Sequence, residues 1–346
     1  MNYGFGIVGT GMIAGFHARA IKAMRGGELT ACYSRSQEKA DNFGKKYNCK
    51  GYSDFNSFLS DPKIDIVTVC TPSGAHLEAA LKIAGAGKHA VIEKPLEISL
   101  KRCDQIIEAF DKKGLKLSGV FQSRFFNASR VLHDAVKNGK FGKLVLGDAY
   151  IKWYRNQEYY DNGGWKGTRK FDGGGALMNQ SIHAIDLLLW YMGPVDSVMA
   201  FTGILGHKRI EVEDTAVASL LFKNGAMGVI EGSTAVFPGF LKRIEISGVS
   251  GSAVLEEDHF NVWNFEKQSS EDEKIKEKFG KTSKTGGGAA DPGAIDFTGH
   301  KHQFENFVNS LEGKEQLLID GAEARKSVEI ILAIYRSAEK KKLIRI

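Results

Sequence analysis

The segment Gly9-Thr10-Gly11-Met12-Ile13-Ala14 constrains this chain more than any other. It follows the apolar run Phe5-Gly6-Ile7-Val8 directly and opens a helical pattern reaching about Met24. A strand that turns this tightly into a helix needs a first residue without a Cβ. The second glycine lets backbone approach a pyrophosphate, and Ala14 is small enough for close helix–strand packing. The helix N-terminus then offers free N–H groups and a positive dipole to an anion. An ordinary glycine turn can carry the same residues, so the flanking elements decide between the two readings.

Those elements alternate. Apolar runs near 29–33, 64–70, 89–93 and 117–121 are separated by helical patterns near 37–47, 75–86 and 99–113. Buried strands divided by helices predict a doubly wound parallel sheet, the α/β Rossmann architecture. After about residue 122 a helix over 127–138 precedes longer strands at 144–153, 195–204, 214–222, 227–235, 241–248, 252–256 and 260–265. Lys223-Asn224-Gly225 is a tight-turn signal between two of them. This half therefore reads as an α/β domain with an open, mostly antiparallel sheet. Residues 267–296 are polar and glycine-rich and read as a long loop, with two helices after them near 301–313 and 321–341. The expected division is a dinucleotide-binding domain over 1–122 and a substrate-binding and oligomerisation domain over 123–346, in line with about 150 residues per domain.

Charge excludes some partners. Lysine plus arginine minus aspartate plus glutamate is 47 − 41 = +6, spread over 346 residues, with no basic stripe or recognition module for nucleic acid. Cys32, Cys49, Cys70 and Cys103 form no C-x-x-C pair, so neither a disulfide framework nor a zinc site is expected. His300-Lys301-His302 lacks a third ligand, and no metal is expected there. With no leader-like start and no bilayer-spanning apolar stretch, the reading is a cytoplasmic protein.

Four clusters carry the chemistry. The second strand ends in Tyr33-Ser34-Arg35-Ser36, without the carboxylate that would take an adenosine ribose hydroxyl. Arg35 with Ser34 could hold a 2′-phosphate, which favours NADP while leaving NAD open; Ser34 or Ser36 could equally cap the next helix. Thr71-Pro72-Ser73-Gly74-Ala75-His76 lies at the ligand-facing end of a strand, where His76 either meets the nucleotide or is solvated. Glu93-Lys94-Pro95 follows the next strand, and Pro95 restricts Lys94 to an extended conformation. Lys94 is either a surface lysine or a group beside a nicotinamide that polarises or deprotonates a hydroxyl. Last, Asp172-Gly173-Gly174-Gly175 leads into a helix on which Asn179, His183 and Asp186 share one face at helical spacing.

Together these residues resemble the Gfo/Idh/MocA family (glucose–fructose oxidoreductase / inositol dehydrogenase), in order and spacing, over nearly the whole chain. The resemblance implies an NAD(P)-dependent oxidoreductase acting on a sugar, cyclitol or nucleotide-sugar hydroxyl, assembled as a homodimer or homotetramer through its C-terminal sheet. It implies that Lys94 and His183 are catalytic, with Asn179 the third member of the catalytic set, positioning the substrate or His183. Asn179 stands where the family usually has aspartate; an amide orients but cannot stabilise imidazolium. Trp165-Lys166 resembles the family's Trp-Arg pair, with lysine keeping the charge but losing the bidentate fork. The Met178-Asn179-Gln180 variant resembles a subgroup some of whose members oxidise nucleotide-linked amino sugars.

The expected nucleotide contacts are Gly9, Thr10, Gly11, Met12, Ile13, Ser34, Arg35, Thr71, Pro72, His76, Glu93, Lys94, Gln122, Trp165 and Lys166. The expected substrate contacts are Lys94, Arg124, Trp153, Arg155, Tyr159, Arg169, Asn179, Gln180 and His183. In the working mechanism His183 takes the hydroxyl proton while Lys94 supplies positive charge where alkoxide character develops. Two alternatives are a cofactor-retaining glycoside hydrolase that uses transient oxidation and a non-catalytic dinucleotide-sensing regulator.

Overall fold

The computed structural model describes residues 2–280 and 296–346. The apolar runs of the first third form β1 Tyr3–Val8, β2 Gly27–Tyr33, β3 Lys50–Tyr52, β4 Ile66–Val69, β5 His89–Ile92 and β6 Leu117–Gly119. They pair in parallel in the order β3-β2-β1-β4-β5-β6. Every residue of β4 is buried, as a sheet covered on both faces requires. The strand order reverses at β1 and β4, which makes their carboxyl ends the ligand-facing switch point.

Packing divides the described chain into two units. One holds the residues through Gln122 together with Asp296–Val328; the other holds the described residues from Ser123 onward together with Glu329–Ile346. The domain division read from chain order is corrected here, because 296–328 returns to the first unit. In the helix Thr298–Leu311, Phe304, Phe307 and Val308 enter one core with Phe5, Ile7 and Ile21. Gln303 Oε1 accepts from the Phe121 N–H at 3.1 Å, and its amide donates to Gly119 O at 2.7 Å. Gly119 must be glycine, since a Cβ there would lie 2.4 Å from Ala324 Cβ.

The second unit contains β7 Leu144–Lys152, β8 Val195–Gly203, β9 Thr215–Phe222, β10 Met227–Ser233, β11 Arg243–Gly248, β12 Gly251–Glu256, β13 His259–Phe265 and β14 Ile344–Arg345. Their order is β13-β12-β11-β7-β10-β9-β8-β14, antiparallel except for β7 against β10. In the β9–β10 turn only Gly225 has positive φ (+86°), so the loop has one left-handed residue rather than two. The helix Ile182–Met192 is buried along nearly its whole length and packs on β7, where Gly147 makes room for Met192.

The loop expected over 267–296 is also corrected in its first part. Ser270–Phe279 is a helix begun by a Ser269/Asp272 capping box, and Asp272 additionally accepts from Lys140 and from Trp263 Nε1. Residues 281–295 lie outside the described residues. Among the described residues no helix is long and apolar enough to cross a membrane.

Candidate active site

The glycine turn between β1 and the helix Met12–Ala23 behaves as its sequence demands. Gly9 sits at φ +98°, and a Cβ on it would lie 2.7 Å from Cys70 O. Gly11 is the helix N-cap, no side chain caps it, and nothing stands within 4 Å of where its Cβ would be. The first helical N–H groups therefore open onto a glycine-lined cradle, flanked by exposed Met12 and half-buried Thr10 and Ile13. This arrangement fits a dinucleotide pyrophosphate. Past β2, Ser36 caps the helix Gln37–Tyr47 by accepting from Lys39 N–H, and Ser34 Oγ accepts from Ser36 N–H. Arg35 is exposed, and no carboxylate pairs with it among the described residues.

Two expected nucleotide contacts, His76 and Glu93, make buried contacts within the chain. His76 is fully buried; its Nδ1 faces Pro95 O at 3.0 Å and its Nε2 faces Thr71 O at 3.0 Å. It braces the Thr71–Pro72 turn against the segment after Lys94, so both ring nitrogens are engaged. Glu93 also points inward, with Oε1 2.8 Å from His17 Nε2 and Oε2 accepting the Lys94 N–H at 3.1 Å. Lys94 itself is half-buried between buried Glu93 and Pro95. Gln122 is buried at the start of a tight turn, Gln122–Phe125, after β6.

In the second unit the glycine loop is held from a distance. Gly175 has no side chain with which to cap the segment after it, and Glu213 supplies that cap. Its Oε2 accepts from Gly175 N–H at 2.9 Å, its Oε1 from Leu177 N–H at 2.8 Å, and its carbonyl from Ala176 N–H at 3.0 Å. Tyr335 Oη donates to the same carboxylate at 2.9 Å. A Cβ on Gly175 would lie 1.7 Å from Glu213 O, and one on Gly174 would lie 2.3 Å from Tyr335 Oη. Neither approach tolerates a side chain.

Burial pushes the Glu213 carboxyl up to about 7, against the pull of the two N–H donors. The native state then binds more protons than the unfolded one between the ordinary carboxyl range and neutrality. This contribution is complete below about pH 4.5 and is lost as pH rises through about 7. The Glu213→Gln variant should therefore gain melting temperature relative to wild type between about pH 5 and about pH 8. A pH-independent difference would show that Glu213 does not titrate in that window.

The α-helical spacing expected for Asn179 and His183 is corrected too. Ala176–Ser181 form a wide π-type turn, and the α-helix starts only at Ile182, so the pair straddles a junction. Asn179 Nδ2 donates to Asp172 Oδ1 at 2.6 Å, and Asp172 Oδ2 accepts from Gly167 N–H at 2.8 Å. Gln180 Oε1 accepts from Arg155 Nη2 at 3.1 Å, and its amide donates to Tyr159 Oη at 3.0 Å. Lys166 Nζ stands 3.6 Å from the Tyr159 ring centroid, a cation–π contact, and burial pulls its ammonium below the usual range. Trp153 is buried beside Arg155, whose guanidinium lies 6.0 Å from the Trp153 ring. Asn179, Gln180, Arg155, Tyr159, Lys166 and Asp172 thus form one polar cluster at the wide turn, and buried His183 is the second residue of the helix that follows.

Two expected substrate contacts lie outside this cluster. Arg124 donates from Nε and Nη2 to Asp186 at 2.8 and 2.7 Å, both side chains buried, with its guanidinium over Trp190. Arg169 is exposed and holds Glu211 through its N–H and Nε. Trp165, expected on the nucleotide, is half-buried, and its carbonyl accepts from Thr168 Oγ1 at 2.6 Å. Sequence reasoning missed Glu213, Tyr335 and His17, and set His300 aside for want of a third ligand. Only the adjacent acids Glu213-Asp214 at the head of an apolar strand could have signalled a buried carboxylate needing donors.

Comparison with known proteins agrees with this layout. Residues 3–121 match the family described as the oxidoreductase family with an NAD-binding Rossmann fold, and residues 129–254 match the GFO/IDH/MocA C-terminal domain. The chain is 30% identical to myo-inositol 2-dehydrogenase of Thermotoga maritima over 255 residues, covering 71% of this chain and 73% of that protein. It is similar in structure to the WlbA dehydrogenase of Bordetella pertussis in complex with NADH and UDP-GlcNAcA (TM-score 0.90, 32% identity, 100% and 98% covered). A WlbA dehydrogenase from Chromobacterium violaceum, also in complex with NADH and UDP-GlcNAcA, gives a TM-score of 0.89 at 31% identity, with 100% and 96% covered.

Proposed function

We propose that this chain, which belongs to the GFO/IDH/MocA family of oxidoreductases with an NAD-binding Rossmann domain, dehydrogenates a hydroxyl of an acidic, nucleotide-linked sugar. The observation that carries the substrate class is the cluster at the wide turn. It joins two cations, Arg155 and Lys166, to the amides of Asn179 and Gln180 and to an aromatic face, Tyr159. A guanidinium fork and an ammonium suit a carboxylate or phosphate, and the aromatic ring suits a sugar face. UDP-GlcNAcA, bound by the two similar WlbA dehydrogenases, carries all of these groups.

NAD(H), when bound, supplies the hydride acceptor or donor. The chain's own residues do the rest. The Gly9–Ile13 cradle holds the pyrophosphate. Lys94 places positive charge at the reacting oxygen and His183 takes its proton, because an alkoxide forms only where a base and a cation lower its cost. Asn179, held by Asp172, orients the sugar. Thr71, Pro72 and Gln122 stand at strand carboxyl ends, where nucleotide contacts are made.

The proposal is tested with UDP-GlcNAcA, UDP-N-acetylglucosamine and myo-inositol, by following nucleotide reduction. The expected result is a kcat/KM for UDP-GlcNAcA at least about tenfold above either of the others. Faster turnover of the uncharged cyclitol would overturn the substrate class.

Between NAD and NADP the reading is a preference for NADP, carried by exposed Arg35 and the missing carboxylate after β2. Arg35→Ala should weaken NADP binding roughly tenfold or more and leave NAD within about twofold. Equal affinity for both nucleotides, unchanged in the variant, would remove the preference.

Assembly is read from the second sheet. The cross-strand neighbours Phe201 and Val217, and Leu221, Met227 and Leu146, are all exposed. Such an apolar face is self-complementary in a twofold dimer, and light scattering checks for a dimer or tetramer. The four free thiols suit a reducing cytoplasm.

A further inference from the structure

Beneath Lys94, in the first unit, lies a buried row of side chains to which the reading above assigns no role. His17 comes from the helix Met12–Ala23, Cys70 follows β4, Glu93 follows β5, and His300 comes from the helix Thr298–Leu311. All four are less than one-tenth exposed. His17 Nε2 lies 2.8 Å from Glu93 Oε1, and its Nδ1 lies 3.4 Å from Cys70 Sγ. Glu93 Oε2 accepts the Lys94 N–H at 3.1 Å. His300 Nε2 stands 3.8 Å from Glu93 Oε1, beyond hydrogen-bond reach, and its ring leans on His17 at 5.4 Å.

We propose that His17 is a positioning residue for Lys94: by clamping Glu93 it fixes the main chain from which the lysine side chain springs. The inference rests on the reading of Lys94 as catalytic.

The proton inventory is self-consistent. Glu93 Oε2 accepts the Lys94 N–H, and the carboxyl is held well below its usual range, so it is a carboxylate. Burial opposes that charge, but the His17 hydrogen bond, with His300 close by, outweighs it and holds the carboxyl well below its usual range. An acceptor-only carboxylate requires the His17 proton on Nε2. Nδ1 is then an acceptor, and Cys70, whose thiol burial pushes well up, has the proton to give it. Burial also holds His17 below its usual range, so the ring is neutral. The relay Cys70–His17–Glu93–Lys94 thus ties the ends of β4 and β5 to the dinucleotide-facing helix. Phe304 seals it by edge contact with His17 at 5.1 Å.

The three donors His17, Glu93 and His300 also lie within 4.8 Å of one another, which raises a metal as the alternative occupant. The 2.8 Å contact is a hydrogen-bond distance and is too short for two ligands of a tetrahedral zinc. Ligand atoms held by a tetrahedral ion at about 2.0–2.1 Å stand roughly 3.3 Å apart.

The test uses the full-length protein with UDP-GlcNAcA and NAD(P). His17→Phe keeps the ring packing and removes the donor; His17→Gln restores an N–H. For His17→Phe the expected result is a kcat lower by about ten- to a hundredfold, with KM and NADH affinity within about twofold. His17→Gln should recover most of the loss, and His17→Phe should add little in a Lys94→Met background. Amide hydrogen exchange of residues 90–98, read without substrate, should speed up in His17→Phe and return in His17→Gln. Normal kcat and exchange in His17→Phe would overturn the clamp, as would losses that simply add to those of Lys94→Met, or stoichiometric zinc in the purified wild type. Full turnover in Lys94→Met alone would instead overturn the parent reading, while the exchange result still reports on the clamp. If His17→Phe does not fold, His17→Leu, which also removes the donor, carries the same readouts.

Discussion

Lys94→Met should lower kcat by roughly 10²–10⁴-fold while NADH binding stays within about twofold. Methionine matches the length and apolar stem of lysine, so half-buried packing is kept and only the ammonium is removed. An alkoxide forming without a nearby cation loses electrostatic stabilisation that is worth more in a water-poor site than in solution. Because the cation matters where charge develops, the loss should fall on kcat and on kcat/KM alike, with KM little changed. Retained turnover with normal nucleotide binding would remove Lys94 from the chemistry and leave it as one lysine after a strand.

The second large effect is on stability. Arg124→Met should cost about 3–5 kcal/mol in urea unfolding, because it strands the Asp186 carboxylate in the core. The two side chains are 2% and 1% exposed, and their bidentate contact offsets the cost of burying both charges. The double variant Arg124→Met/Asp186→Leu should recover most of the loss, since an apolar pair needs no partner. Substrate KM in whatever folded fraction remains should be near normal. A stable Arg124→Met protein with a raised KM would reverse the assignment and return Arg124 to the substrate.

The local signals were read most accurately where one short segment settles its own structure. Gly9 and Gly11 determine a turn that only residues without side chains can make, and alternating apolar runs determine a parallel sheet. Hairpin-rich grammar after residue 122 likewise foretold a mostly antiparallel sheet. What the sequence did not show were partners that lie far along the chain. His76 and Glu93 sit at the ligand-facing strand ends that their motifs imply, yet both turn inward, toward Pro95 and His17. Arg124 and Arg169 carry the right charge for substrate, but the Asp186 carboxylate 62 residues away binds the first, and the Glu211 carbonyl 42 residues away accepts from Nε of the second. The Asn179–His183 spacing assumed 3.6 residues per turn, and no pattern of residue types announces a wide turn.

Sequence alone thus determined the kinds of element, their order, the nucleotide cradle and the family. The first three rest on backbone sterics and apolar periodicity, which act over a few residues; the family rests on the resemblance that the motifs carry. Tertiary structure decided which polar groups remain for chemistry. A buried donor or acceptor must be satisfied, and its partner is whatever the fold brings within about 3 Å, independent of distance along the chain. Glu213 beneath the glycine loop and Gln303 returning to the first unit are the plainest cases.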